Sequence, residues 1–400
     1  MTEKLYNSDS HLAVCTATVR ACEPCKEGFA VLLDQTILFP AGGGQPTDLG
    51  TVGDATVLAC RDEGEEVVHL LDRALAVGKK VTVSLNWPRR FDYMQQHTGE
   101  HLLSFAFYKL FGVHNVGFHL ADTYTTIDFD NPLNPEAITQ AEMLANSYVW
   151  RNLSVTATLY PDEAAITRLP LRKHAEGLVA PIRIVQITDA DCCTCCAPHC
   201  KQTGEIGLIS IVDAVAYKGG TRITFLCGKR ALVHARVMHN TVDRLARRFS
   251  VSRDDAEAAV IKLNDDFGTA RRSERQLTAA LNSYMAEELA AAAVSVGKRS
   301  FIIRLLPNVE PNRLKDLAQA AGAQQRLVVL LSEISGKLAY VLSSPEGFLP
   351  DVGDLIQAVN AATGGKGGGR GTLAQGLAQS SSGAKETVEQ LKQYLLQRLK

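Results

Sequence analysis

His97 and His101 stand four positions apart in Gln96-His97-Thr98-Gly99-Glu100-His101-Leu102-Leu103. On an α-helix that spacing stacks two imidazoles on one face, within reach of a single metal ion. Cys195 and His199, in Cys195-Cys196-Ala197-Pro198-His199, repeat the interval. One thiolate with three imidazoles is a ligand set suited to zinc, and the two pairs together complete a tetrahedron around one ion. Such an ion either holds the fold as a closed site or, with an open or expanded coordination position, serves as a Lewis acid. The zinc-protease pattern fits poorly, because it needs glutamate directly after the first histidine and Thr98 stands there. Cys192, Cys193, Cys196 and Cys200 compete with Cys195 for the thiolate position, and the interval to His199 favours Cys195.

These residues need a helix and a cysteine-bearing turn to bring them together. The stretch from Phe91 to Gly112 predicts the helix, with Met94, Phe105 and Tyr108 at apolar positions and Gly112 as its stop. Ahead of it, short apolar runs such as Phe29 to Leu33 and Val81 to Leu85 alternate with Gly and Pro, as in a small β domain. Behind it, mixed signals continue to about Cys227, with strand-like runs at Pro181 to Ile187 and Ile206 to Val212. Ala231 to Val296 contains no proline and shows helical spacing at Ala256, Val260, Leu263 and Phe267, with Ser252 and Asp255 as a capping signal. Strand-like runs at Phe301 to Leu306 and Leu327 to Leu331 then alternate with helical ones, and the tail holds a glycine-rich loop, Gly364 to Gly371, and a last helix.

The expected fold is therefore α+β and multidomain. It comprises a small β-barrel-like domain over 1–90, a zinc-bearing α/β core over 91–230, a helical spacer over 231–297 and a C-terminal α/β domain over 298–400. A chain of 400 residues is too long for one ordinary core, which agrees with such a division. Its 46% hydrophobic and 21% charged residues are those of a globular protein, and no apolar run approaches the roughly 18 residues that span a bilayer. The first residues show no secretory pattern, so the cytoplasm is expected. In a reducing compartment the clustered cysteines among the ten present read as metal ligands, and Cys22-Glu23-Pro24-Cys25 lacks the second pair that a zinc finger needs.

Three strings resemble the motifs of the AlaX editing proteins and of the editing domain of alanyl-tRNA synthetase. They are Pro40-Ala41-Gly42-Gly43-Gly44-Gln45-Pro46, the histidine string above, and Cys195 to His199 followed by Thr203-Gly204-Glu205-Ile206-Gly207. The likeness continues through Gly117-Phe118-His119-Leu120 and Gly219 to Gly228, and Gly364 to Arg370 with Ala374-Gln375-Gly376 is similar to the end of the synthetase. Coverage of nearly the whole chain points to the long form. One motif departs from the family, which commonly has two glycines and a threonine where Cys196, Ala197 and Pro198 stand here. No class II aminoacylation domain precedes the motifs, so the resemblance implies correction without activation of alanine.

The resemblance implies hydrolysis of the ester joining serine, or glycine, to tRNA(Ala), with one zinc ion on His97, His101, Cys195 and His199. Whether the ion activates water or positions the substrate is left open. A pocket that excluded only by size would also admit alanine, so the site must reward the serine hydroxyl. Thr36 and Gln45 are the candidates the family offers. Lys366 and Arg370 are candidate tRNA contacts, as is the basic helix around Lys229, Arg230, Arg236, Arg244, Arg247 and Arg248. Residues 364–400 carry six Lys or Arg against two Glu. The glycine run does not match a P-loop, so no ATP is expected. The helical segment and the C-terminal region are candidate homodimer surfaces. His119 and His174 are assigned no metal role. The alternative reading is a tRNA-binding module with a purely structural zinc and no hydrolytic activity.

Overall fold

Alternating apolar positions in the first part of the chain form short strands: β1 (Glu3–Lys4), β2 (Val14–Cys25), β3 (Gly28–Leu33), β4 (Gln35–Thr36), β5 (Gly50–Val52), β6 (Ala55–Glu63), β7 (Glu66–Leu71) and β8 (Lys80–Leu85). In the computed structural model, which describes residues 1–173, 180–323, 325–348 and 351–399, six of these close into a barrel in the order β2-β3-β7-β6-β5-β8. Closure depends on β2. Its first half pairs with β8 and its second with β3, with a register shift between Val19 and Ala21. A bulge of this kind bends and twists a strand enough for it to serve two sheets. Val19, Val31, Leu33, Val52, Val67, Leu71 and Val83 fill the interior, none more than 1% exposed.

Asn86-Trp87-Pro88 starts the helix α1 (Trp87–Phe111), a few residues before the Phe91 read from periodicity. Asn86 accepts from the Arg89 amide and Pro88 sits in the first turn, while Gly112 ends the helix with φ 67°. Every residue from Tyr93 to Ser104 is buried, so the middle of α1 is enclosed rather than amphipathic. After it come β9 (Asn115–Leu120), β10 (Thr125–Phe129), α2 (Pro135–Trp150), β11 (Val155–Tyr160), α3 (Glu163–Ile166), β12 (Ile182–Ile187), β13 (Cys192–Thr194), β14 (Ile209–Tyr217) and β15 (Gly220–Cys227). The sheet β14-β15-β10-β9 packs with α1 and α2 around one core, and the three-stranded sheet β11-β12-β13 carries the cysteines. The strand expected from Ile206 begins only at Ile209, because Thr203–Ile206 is a 3-10 turn.

Gly99 lies where α1 meets β15, and a Cβ there would fall 2.3 Å from Cys227 Sγ. Gly99→Ala is expected to lower the stability of this unit by about 1–3 kcal/mol through overpacking. Thermal denaturation followed by circular dichroism reads that loss, and an unchanged midpoint would mean that Cys227 gives way freely.

The chain divides into two compact units, Met1–Arg248 and Phe249–Lys400. The first ends within α4 (Gly228–Phe249), so the division falls inside the stretch expected as a spacer. The second contains α5 (Ala256–Ala291), β16 (Val294–Val296), β17 (Arg299–Pro307), α6 (Pro311–Gly322), β18 (Leu327–Ile334), β19 (Lys337–Ser343), α7 (Val352–Thr363), β20 (Lys366–Arg370), β21 (Leu373–Ala378) and α8 (Ala384–Arg398). Its sheet runs β16-β17-β18-β19-β21-β20, with β17 and β18 parallel and joined through α6. Alternate strand residues serve two cores. Ile302, Val328 and Leu330 meet Leu314 and Leu317 of α6, whereas Phe301, Ile303, Val329 and Leu331 share a core with α7 and α8.

The glycine-rich run is not the loop its composition suggested. Lys366–Arg370 is an edge strand paired to β21, bounded by Gly364 and Gly371 at φ 64° and 71°. Close packing accounts for the glycines: a Cβ on Gly367 would meet Gly376 Cα at 2.7 Å and one on Gly369 the Leu373 carbonyl at 2.2 Å. Among the described residues no helix is long and apolar enough to cross a membrane.

Candidate metal centre

α1 presents His97 and His101 one turn apart, and the chain leaving β13 carries Cys195 and His199 to the same place. One ring nitrogen from each histidine and Sγ of Cys195 all lie within 4.8 Å of one another. Cys195 Sγ is 3.3 Å from His199 Nε2 and 3.6 Å from His97 Nε2. Each Nδ1 has an outer partner: Gln45 Oε1 for His97 at 3.0 Å, Asp191 Oδ2 for His101 at 3.0 Å and Thr98 Oγ1 for His199 at 3.1 Å. Protonation at Nδ1 leaves the Nε2 lone pairs for the centre. Thr98, at the position where a zinc protease has glutamate, also accepts from the Cys200 amide and so ties α1 to the second half-site.

Burial opposes protonation of His101, but Cys193 and the Asp191 carboxylate beside it hold its imidazole well above the usual value. Burial opposes ionisation of Cys195, but the imidazoles of His97 and His199 hold its thiol well below the usual value, and burial pushes His199 down to about 3. Thiolate and neutral imidazole are the forms that ligate, so a metal ion binding here would displace the proton of His101. The neighbouring cysteines are placed differently. Burial pushes the Cys193 thiol up to about 12, and its Sγ lies 3.4 Å from Asp191 Oδ2. Cys192 and Cys200 are buried in core clusters and Cys196 is exposed. Three nitrogens and one sulfur, converging in a buried place, fit a divalent ion that takes N and S donors.

The unusual Cys196-Ala197-Pro198 turn has its own support. Arg183 donates through one nitrogen to the carbonyls of Cys195 at 2.9 Å and Ala197 at 2.7 Å, and the Cys195 amide donates back to the Arg183 carbonyl. Ala197 is fully buried against Tyr6 and Phe39.

Opposite this turn lies Gly42-Gly43-Gly44-Gln45, closed by reciprocal 3.0 Å backbone bonds between Gly42 and Gln45. Gly43 and Gly44 have φ of 58° and 82°, the pair of positive values that a type I′ turn requires. A Cβ on Gly44 would fall 2.7 Å from the Phe118 ring, which itself lies 4.9 Å from His97. Gln45, at the end of the turn, is 2% exposed, and its Nε2 has no hydrogen-bond partner. At the base, the Phe39 amide donates to Asp48 Oδ2 and the Asp48 amide to the Phe39 carbonyl. Arg90 of α1 grips Asp48 and also donates to the Ser10 and Ile37 carbonyls, and both ionised side chains are fully buried. Arg90 and His97, seven residues apart on α1, thus hold the base and the tip of one loop.

The other expected residues have partners outside this cluster or lie in the second unit. Thr36 is fully buried, with its hydroxyl 2.8 Å from His69 Nε2 and accepting from the Leu38 amide. Burial pushes His69 down to about 4 and its Nδ1 faces the Val31 carbonyl, so the neutral ring accepts the Thr36 proton. Lys366 and Arg370 are exposed on one face of β20 in the second unit. His119 is exposed, while His174 lies outside the described residues. Two of the basic-helix residues are already engaged: Arg230 binds Asp92 and the Ala121 carbonyl, and Arg247 pairs with Asp243. Cys22 and Cys25 fall three apart on β2, hence on opposite faces, and both are free. Sequence reasoning missed Asp191, Arg172 and Arg183, whose only signal is that a charged residue stands beside a buried run.

Comparison with known proteins gives this geometry its setting. Residues 182–224, which include Cys195 and His199, match the family described as the threonyl and alanyl tRNA synthetase second additional domain. The chain is 30% identical to alanyl-tRNA editing protein Aarsd1 of Danio rerio, over 88% of this chain and 85% of that protein. It is 30% identical to alanyl-tRNA editing protein AlaX-L of Pyrococcus horikoshii, over 95% of each. Alanine–tRNA ligase of Thermococcus kodakarensis is 29% identical over 91% of this chain and 41% of its own length. Likeness that extends through both units and takes in the two halves of the cluster identifies the chain as a member of the AlaX-type alanyl-tRNA editing proteins.

Proposed function

We propose that this chain is a trans-editing hydrolase that removes serine wrongly attached to tRNA(Ala), with glycine as a second substrate, in the cytoplasm. The observation that carries the reading is the convergence of His97, His101, Cys195 and His199 beside a bare glycine turn that ends in Gln45, whose side-chain Nε2 has no partner. In this reading the four side chains hold one zinc ion, which supplies a Lewis-acidic centre for the substrate's ester carbonyl, amino group or ribose. Gln45 orients His97 through Oε1 and offers its free N–H to the substrate. The glycine turn, with no side chains at Gly43 and Gly44, lets the 3′ end of the tRNA approach the protein backbone closely.

Selectivity against alanine is assigned to Thr36. With its proton given to His69 and one lone pair to Leu38, the hydroxyl has a single acceptor position left, which suits a donor such as the serine O–H. Thr36→Val is expected to cut kcat/KM for Ser-tRNA(Ala) about tenfold while leaving the small rate on Ala-tRNA(Ala) unchanged. Competition between the two charged tRNAs measures the ratio, and a ratio equal to that of the wild type would remove Thr36 from the role.

The second unit is proposed to hold the tRNA body. Lys366 and Arg370 flank Gly368 on an exposed strand face where an added Cβ at Gly368 would meet nothing within 4 Å, so a phosphate backbone can lie against it. Lys366→Glu with Arg370→Glu is expected to weaken tRNA binding and to flatten log K against log salt by about 1–2. Filter binding across a salt series checks this, and an unchanged slope would place the contacts elsewhere. Self-association is proposed through α5, where Val260, Leu263, Phe267, Leu277, Leu281 and Tyr284 follow heptad spacing and are each at least 43% exposed.

A further inference from the structure

The three histidines differ in what holds them from behind. Gln45 and Thr98 are neutral partners, whereas His101 is backed by a carboxylate with an elaborate grip of its own. Asp191 Oδ2 accepts from His101 Nδ1–H at 3.0 Å and faces the Cys193 thiol at 3.4 Å. Arg172 donates through Nε to Oδ1 at 2.5 Å and through a second nitrogen to Oδ2 at 3.0 Å. Asp191 is 1% exposed, and the Arg172 side chain only 7%. The grip continues in the backbone, where the Arg172 amide donates to the Cys192 carbonyl at 2.8 Å. A fork from arginine onto one carboxylate fixes that carboxylate's plane as well as its position.

Asp191 also stands four residues before Cys195, at the entry to β13. One short stretch of chain therefore delivers a candidate ligand and, just ahead of it, the partner of a ligand carried by α1. A structural ion pair accounts for Arg172 and Asp191 meeting. It does not account for His101 Nδ1 lying 3.0 Å from the same Oδ2.

We infer that Asp191, held in plane by Arg172, is a positioning residue: it fixes the tautomer and ring angle of His101, and thereby aligns the helix-borne pair of metal ligands with the pair that follows β13. The inference rests on the reading that His97, His101, Cys195 and His199 hold a metal ion. An ionised partner behind a ligating imidazole also makes that imidazole a stronger donor, and loss of such a partner typically weakens metal affinity 10–100-fold.

The test is zinc affinity of the full-length protein, measured by competition with a chromophoric chelator, alongside the visible absorption of the cobalt-loaded form. Asp191→Asn keeps the shape and is expected to weaken zinc binding by about 10–100-fold, with one ion still bound at saturation and an altered cobalt spectrum. Arg172→Lys keeps the charge but not the fork, and is expected to give a smaller loss in the same direction. A wild-type protein that binds no zinc would overturn the metal reading, and this inference with it. Zinc bound by the wild type and lost in Cys195→Ala, but held with unchanged affinity by Asp191→Asn and Arg172→Lys, would overturn the inference alone. In that case a lowered melting temperature of the metal-free variants would mark the pair as purely structural.

Discussion

Cys195→Ala is expected to lose bound zinc and deacylation together, with metal falling from one ion per chain to near zero and hydrolysis of Ser-tRNA(Ala) to the rate in buffer alone. Cys195 Sγ is the only sulfur of the cluster and lies against both His97 and His199. In the proposed reading its removal deletes the single anionic ligand, and three imidazoles alone hold zinc far more weakly than the full set. Cys193 is poorly placed to substitute, because its thiol is buried beside Asp191 on the Nδ1 side of His101. His97→Ala is expected to behave alike and also to release the Oε1 of Gln45. Metal analysis and a deacylation assay on one sample check this. A metal-free variant that hydrolyses at the wild-type rate would contradict the role given to the four residues.

Asp48→Ala is expected to destabilise the first unit by about 3–5 kcal/mol, a large part of the roughly 5–15 kcal/mol that holds a typical domain folded. Arg90 and Asp48 are both fully buried, so removing the carboxylate strands a guanidinium with only the Ser10 and Ile37 carbonyls as partners. The Phe39 amide loses its acceptor as well, and the loop that ends in Gln45 is freed at its base. Editing is therefore expected to fall even under conditions where the variant remains folded. Replacing both partners, as Asp48→Leu with Arg90→Met, leaves no orphaned charge and is expected to lose much less stability than the single change. Denaturant titration of the three proteins compares them, and a single variant no weaker than the double would contradict a keystone role for the pair.

Much of the cluster is legible in the sequence because its four side chains lie close together in pairs. Four-residue spacing on a helix is a local property, and Gly112 marked the end of that helix as plainly as Asn86-Trp87-Pro88 marks its start. Interactions that cross the chain left no such trace. Thr36 meets His69, Asp48 meets Arg90 and His101 meets Asp191 only because closure of the barrel and packing of β13 bring them there. The glycine run 364–371 misled for a related reason. Composition marks glycine as a turn former, whereas pairing with β21 and the crowding at Gly367 and Gly369 make this run a strand. Charge in the sequence is likewise an incomplete guide, since Arg230 of the basic helix is held by Asp92.

Placement of Thr36 bears on how discrimination works. Its hydroxyl is oriented by His69 within the first unit, so in the proposed reading the barrel takes part in selectivity as well as supporting α1. Polar groups arranged in advance lose more when the expected hydroxyl is missing than a flexible pocket would, which is what a site that must spare alanine requires.

The most direct test of the account is deacylation of Ser-tRNA(Ala), Gly-tRNA(Ala) and Ala-tRNA(Ala) by the purified full-length protein, with zinc measured on the same sample. Release of serine with alanine spared, by protein carrying one zinc per chain, is the predicted result. A fully zinc-loaded protein that binds tRNA(Ala) and hydrolyses none of the three would contradict it, and would mark the chain as a tRNA-binding module with a structural ion.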